Sequence, residues 1–322
     1  MKQTTKNRIV LYGLILITVL IIFLMQSFNV KEQKLTLTDY LDTVCDFTVY
    51  SRSKKPLDSC VDYLKKMDAE LSASDESSSL YQLNIGKSVN LSEDALDLIE
   101  FGKNFGSENP DLFSIYLNPL VTAWDIKNNT GYIPDVTKAL EDVTAEKSIN
   151  LGGVAKGFLT DRIIEQLQAD GVTSALINLG GNAYAIGKKP TGENWKIGIQ
   201  DPKNESELIG IVTAENLAVI TSGDYQRYFE LDGVRYHHIF DPTTGYPAQS
   251  GLRSVTVISE NATLADALST AIFVAGVEKG IELLNKYNVR GILVTDDTVY
   301  FSKSLENIFK QLNFSYKYKF IY

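Results

Sequence analysis

Histidine is almost absent from this chain of 322 residues, and cysteine is equally scarce, with two of each. Their spacing matches no zinc or haem pattern, which excludes a Cys/His metal centre. Cys45 and Cys60 could pair outside the cell or lie as buried thiols, and the sequence leaves both readings open. Any imidazole base has to be His237 or His238. A surplus of positive charge is missing too. The net charge is -9 and the pI near 4.9, which excludes the basic face that nucleic acid requires. The chain has no internal repeat and no low-complexity tract, so repeat architectures are excluded.

Long apolar runs are absent with one exception. Lys2, Lys6 and Arg8 precede an uncharged apolar stretch from Ile9 to Met25 that Phe28 can extend. The stretch is near the lower length for a spanning helix. Basic residues ahead of it hold the N-terminus in the cytoplasm and put the rest of the chain outside. A cleaved signal peptide is the competing reading, but Gln26-Ser27-Phe28-Asn29 offers no small-x-small cleavage site. No cysteine follows closely enough for lipid attachment. The expected organisation is a cytoplasmic tip and single transmembrane anchor over 1–29, a polar linker over 30–38 and one extracytoplasmic domain over 39–322.

With 44% apolar residues, 17 Tyr and 14 Phe, the chain can bury a real core and carry much sheet. Thr43 to Tyr50 alternates like a strand. Leu57, Val61, Leu64 and Leu71 mark a helix stripe. Ser92, Glu93 and Asp94 open another helix with a cap and an acidic first turn. The Asn- and Gly-rich stretch from Asn104 to Pro134 reads as irregular. Beyond Asn150, helix, strand and hairpin signals follow in mixed order, including a hairpin turning at Asp232-Gly233 and a helix over Ala262 to Ala275. The order predicts an α+β fold with mixed or antiparallel sheets and packed helices.

Four segments carry chemistry. Asp266 and Thr270 stand one turn apart on a helix and offer hard oxygen ligands, a sparse set for a cation that must also reach a substrate phosphate. Taken alone, the same pair is also an exposed Asp and a Thr bonded to its own backbone. Asn150-Leu151-Gly152-Gly153-Val154-Ala155-Lys156-Gly157 places glycines and a lysine at a helix start, where phosphate binds, though it fits neither a Walker motif nor a dinucleotide fingerprint. In isolation it is an ordinary helix start. Tyr236-His237-His238-Ile239-Phe240-Asp241-Pro242-Thr243-Thr244-Gly245-Tyr246-Pro247 holds both histidines. On a strand these point to opposite faces, so at most one enters a given site. Thr221-Ser222-Gly223-Asp224-Tyr225 is a polar turn that either binds ribose or phosphate or only turns the chain.

In this order, and together with Leu179-Gly180-Gly181-Asn182, these segments resemble the ApbE family, the FAD:protein FMN transferases. The resemblance is strong from about Asn150 to Gly276 and weaker from Leu41 to Ile149, where Asp42-Thr43 and Ser79 to Asn84 are echoes. It implies a two-part α+β fold related to the T-fold. It implies magnesium contacts from Asp266, Thr270 and the Gly153 carbonyl, with Ser269 beside them. Lys156 would lie along the FAD diphosphate and His238 near the reacting centre. FAD would be contacted by Leu41, Leu112, Phe113, Ser114, Asn150, Gly180, Gly181, Thr221, Ser222, Gly223, Asp224, Tyr225, Ile239 and Phe240 as well. Three positions depart from the family pattern: Asn150 and Ser114 stand where Asp is usual, and Ser74 stands where an aromatic is common. The implied reaction is attack by a threonine hydroxyl of an acceptor protein on the FMN-side phosphorus of FAD, with AMP leaving. The alternatives are an FAD pyrophosphatase and a non-catalytic flavin-binding protein outside the cytoplasm.

Overall fold

The computed structural model describes residues 30–321. The apolar run Ile9–Met25, and the anchor expected from it, lie outside the described residues. Among those described, no helix is long and apolar enough to cross a membrane.

Strands β1 (Lys31–Tyr40) and β2 (Thr43–Ser51) form a hairpin. Its turn residues Leu41 and Asp42 have φ of 54° and 52°, the left-handed pair that a two-residue hairpin of this twist needs. This corrects the linker expected over 30–38. Gln33, Leu35 and Leu37 are half-buried between exposed neighbours, so the segment is an edge strand with one face on protein. Its charged outward positions, which gave it the look of a spacer, discourage pairing with other chains.

The helices are α1 (Lys55–Leu71), α2 (Ser79–Asn84), α3 (Glu93–Glu108), α4 (Asn118–Trp124), α5 (Thr137–Thr144), α6 (Ala155–Ala169) and α7 (Ala262–Lys286). A second correction concerns 104–134, expected to be irregular. Helix α3 runs on to Glu108, and α4 occupies the middle of the stretch. The Asn residues mark helix ends there: Asn109 is the C-cap of α3, and Asn118 opens α4 with a proline in its first turn. Helix α7 is broken at Gly276 (φ 82°, ψ -176°), directly after the expected end at Ala275.

The remaining strands are β3 (Ala175–Leu179), β4 (Asn182–Ile186), β5 (Trp195–Asp201), β6 (Asn204–Ala214), β7 (Leu217–Gly223), β8 (Tyr228–Leu231), β9 (Val234–His237), β10 (Ser254–Ser259), β11 (Arg290–Val294), β12 (Thr298–Ser302), β13 (Phe309–Gln311) and β14 (Lys317–Ile321). A nine-stranded sheet runs in the order β1-β2-β3-β4-β7-β10-β11-β12-β14, antiparallel throughout except for the β12–β14 pair. The α+β class with a mixed sheet is therefore as expected. One face of the sheet packs on helices through Phe47, Ile177, Ile220, Val255, Leu159 and Phe273. The other face packs on the three-stranded sheet β13-β6-β5 through Val219, Ile258, Trp195 and Val212. A third cluster forms around the fully buried Trp124, whose Nε1–H donates to the Gly245 carbonyl at 2.8 Å and whose ring stacks on Tyr236. Cys45 and Cys60 are separate buried thiols, and burial pushes them up to about 11 and about 12.

Candidate active site

The chain passes from α6 into β3 and β4, so the start of α6 and the Gly180-Gly181 turn lie at one end of the sheet. Helix α7 runs antiparallel to α6 and brings its Asp266–Thr270 stretch to the same end. The two helices touch at Gly157, where an added Cβ would fall 2.4 Å from the Ala262 carbonyl oxygen and 2.6 Å from Asp266 Cβ. Only glycine permits that approach. Helix α6 opens with no side-chain cap of its own. Asp266 supplies one from α7: its Oδ2 accepts the Gly157 N–H at 2.8 Å, and the residue is only 3% exposed. A carboxylate at a helix N-terminus is favoured by the helix dipole.

One turn on, Ser269 and Thr270 are tied to β7. Ser222 Oγ lies 2.7 Å from Ser269 Oγ and 3.4 Å from Thr270 Oγ1. A Cβ on Gly153 would lie 3.6 Å from Thr270 Oγ1 and 3.2 Å from the Phe113 ring. Gly153 thus lies against Thr270, while Asp266, one turn earlier on α7, is engaged with the Gly157 N–H. Among the described residues no group of three or more His, Cys, Asp or Glu gathers. The donor set is therefore one carboxylate, hydroxyls and a carbonyl. All are hard oxygens, which fits a magnesium ion that keeps waters and shares substrate phosphates.

The mouth of this site is built from turns. Gly180 and Gly181 have φ of 59° and 93°, and a Cβ on Gly180 would strike Thr43, so the β3–β4 turn is pressed against the Leu41-Asp42 turn. Arg227 Nη2 donates to the Asp42 carbonyl at 2.8 Å and Lys127 pairs with the Asp42 carboxylate at 3.2 Å, closing the rim. Lys156 is half-buried on the first turn of α6, with its Nζ 3.4 Å from the Gly152 carbonyl. Ser114 and Asn150 are turned to backbone: Ser114 Oγ accepts the Tyr116 N–H and Asn150 Oδ1 accepts the Gly152 N–H, both at 3.0 Å.

The two histidines divide as their alternation predicts. His237 is 3% exposed; its Nδ1 accepts the Ile239 N–H at 3.2 Å and its Nε2 lies 2.9 Å from the Ala248 carbonyl, so the proton is assigned to Nε2. His238 is half-buried with Nδ1 3.3 Å from the Arg227 carbonyl, which leaves Nε2 as the proton acceptor. Burial, with Arg227, His237 and Lys156 nearby, holds the His238 imidazole well below its ordinary value. Burial likewise pushes His237 down to about 4. Between that value and the unfolded one near 6.5 the unfolded chain binds a proton that the folded chain does not. Stability contributed by neutral His237 is therefore present above pH 6.5 and lost as pH falls towards 4. We expect about 2 kcal/mol of this loss between pH 7 and 5. Thermal unfolding across that range should show a decline in wild type that is shallower in His237→Gln, the remainder coming from His238; equal slopes would refute the assignment.

Several expected contacts turn elsewhere. Asp224 is buried and pairs with Arg253 at 3.0 Å and Arg235 at 3.4 Å, so it anchors the sheet end and does not line the cleft. Thr221 faces away from α7 and bonds Thr256 at 2.8 Å. Tyr225, Ile239, Phe240 and Leu112 are buried apolar packing.

Residues 41–293 match the ApbE family. The chain belongs to the ApbE family. It is 33% identical to the FAD:protein FMN transferase of Treponema pallidum over 292 residues, covering 77% of this chain and 80% of that one. It superposes on the ApbE protein of Thermotoga maritima with a TM-score of 0.77 at 30% identity, covering 86% of this chain and 99% of that one. It also superposes on the flavinyl transferase ApbE of Pseudomonas stutzeri with a TM-score of 0.75 at 25% identity, covering 87% and 98%. Within this ApbE chain, two residues of the quoted segments have roles that the sequence did not assign. Asn84 clamps Ile149 by two bonds, Nδ2 to its carbonyl at 2.8 Å and Oδ1 from its N–H at 2.7 Å, and so fixes the approach to Asn150. No local signal reveals a contact so remote in sequence. Gly157 is a glycine inside a helical pattern, which is itself a sign of close packing. Asn84→Ala is expected to cost about 1–3 kcal/mol through the stranded Ile149 groups, and denaturant titration measures it.

Proposed function

We propose that this ApbE chain transfers FMN from FAD to a threonine hydroxyl of an acceptor protein, with AMP as the leaving group and a magnesium requirement. The observation that carries this is the meeting of the α6 start (Gly153, Lys156) with Asp266, Ser269 and Thr270 of α7. The Lys156 ammonium, on the first turn of α6, would bind and orient the diphosphate. Asp266, Thr270, Ser269 and the Gly153 carbonyl would hold the cation, whose chemistry is Lewis-acid neutralisation of diphosphate charge. His238 stays neutral at pH 7, and its Nε2 takes the threonine proton as the new P–O bond forms. The bond between the FMN-side phosphorus and the bridging oxygen breaks, and AMP leaves carrying that oxygen. Membrane attachment through Ile9–Met25, with the domain outside, is part of the same proposal and is supported by Lys2, Lys6 and Arg8 ahead of the run.

The test is incubation of the full chain with FAD, magnesium and a threonine-bearing acceptor. A covalent FMN adduct with stoichiometric AMP is expected; free FMN and AMP alone would show hydrolysis, and no AMP would show binding only. His238→Gln should lower kcat about 10²-fold with little change in the KM for FAD. A variant with wild-type kcat would remove His238 from the mechanism.

A further inference from the structure

The contact between Gly157 and Ala262 is surrounded by two caps in related positions. One turn beyond Gly157 on α6, Asp161 accepts the backbone N–H groups of Ala262 at 2.9 Å and Thr263 at 2.8 Å, and the Thr263 hydroxyl at 2.6 Å. One turn beyond Ala262 on α7, Asp266 accepts the Gly157 N–H at 2.8 Å. Each helix therefore caps the first turn of the other, across a crossing too tight for any side chain at Gly157. Helix α7 does not need Asp161 in order to start. Its own N-cap, Asn261, accepts the Leu264 N–H at 2.6 Å. Asp161 adds a link between helices where Asn261 adds a link within one.

We infer that Asp161 is a positioning residue for the cation-binding set: by holding the first turn of α7 against α6, it fixes the height of Asp266, Ser269 and Thr270 relative to Gly153 and Lys156. The inference rests on the reading that Asp266 and Thr270 hold a cation. Loss of Asp161 frees the α7 start to slide or tilt along the Gly157 contact. Asp266 is one turn away, with its Oδ2 fixed only by the Gly157 N–H. Displaced partners of metal ligands typically cost about 10–100-fold in metal affinity.

The experiment uses the full chain and three variants: Asp161→Ala, Asp161→Asn and Asn261→Ala. Mn2+ binding is measured by electron paramagnetic resonance with and without FAD, and transfer is measured against Mg2+ concentration. Asp161→Ala is expected to raise the Mn2+ dissociation constant and the Mg2+ midpoint about 10-fold or more, with kcat recovering at saturating Mg2+. Asp161→Asn, which keeps one acceptor oxygen, should fall between Asp161→Ala and wild type. Asn261→Ala should lower the melting temperature yet leave both midpoints within about two-fold of wild type. If Asp161→Ala and Asp161→Asn bind Mn2+ as wild type does, or if Asn261→Ala shifts the midpoints equally, Asp161 is an ordinary cap and the inference is overturned. A wild type that binds no Mn2+ and transfers flavin without divalent ions would overturn the cation reading beneath it instead.

Discussion

Asp266→Ala is expected to abolish flavin transfer, lowering kcat by more than about 10³-fold. The carboxylate has two functions that the structure separates. It is the carboxylate of the proposed cation set, one turn before Thr270 on α7, and it accepts the buried Gly157 N–H at 2.8 Å. Removing it takes away the main charge holding a cation, and it strands a donor at a cost of about 1–3 kcal/mol. Asp266→Asn distinguishes the two, because an amide oxygen can still accept from Gly157 while the charge is gone. It should unfold close to the wild-type temperature and be nearly as inactive as the alanine variant. Lys156→Ala should lose less, about 10–100-fold, since it removes one orienting charge and leaves the proposed cation set in place. The readouts are the mass of the flavinylated acceptor and a thermal melt on the same samples. Full transfer by Asp266→Ala at low magnesium would end the metal assignment.

Gly157→Val should be the most damaging substitution outside the ligand set. A Cβ alone meets the Ala262 carbonyl oxygen at 2.4 Å and its carbon at 2.9 Å, and these are backbone atoms that cannot rotate aside. Helices α6 and α7 must therefore separate. Overpacking of this kind costs about 1–3 kcal/mol or more, and a displacement of about 1 Å at the reacting centre costs about 10²-fold in rate. Both reciprocal caps would be stretched at once, so stability and turnover should fall together. Gly171→Ala is a control: Gly171 has φ of +79° but nothing within 4 Å of an added Cβ, so it should show backbone strain without loss of specific activity. A Gly157→Val enzyme with wild-type kcat would mean that the helix crossing does not set the geometry of the site.

How much of this was legible in the sequence depended on whether the signal was local. The Asp232-Gly233 hairpin, with φ of 51° and 78°, was readable because its turn chemistry is carried by the turn itself. The α6 start and the α7 helix carrying Asp266 and Thr270 were readable for a similar reason, since their signals lie within a few helical turns. Strand β1 was missed because an edge strand buries only one face, and the charges of its other face imitate a spacer. The ion pairs of Asp224 were not readable, because Arg235 on β9 and Arg253 just ahead of β10 reach its carboxylate from later in the chain. A residue whose role depends on two distant segments meeting, such as Asp161, leaves no mark in its own neighbourhood.

The hairpin β1–β2 also measures a distance. Ten residues of β1 at about 3.3 Å each span roughly 33 Å between Lys31 and the Leu41-Asp42 tip, which Arg227 links to the His238 backbone. Whatever holds the chain ahead of Lys31 therefore holds it at the far end of a stiff ruler from the catalytic mouth. With the proposed anchor in place, threonines lying flat against the lipid would be out of range, and those displayed some tens of ångströms above it would be within reach.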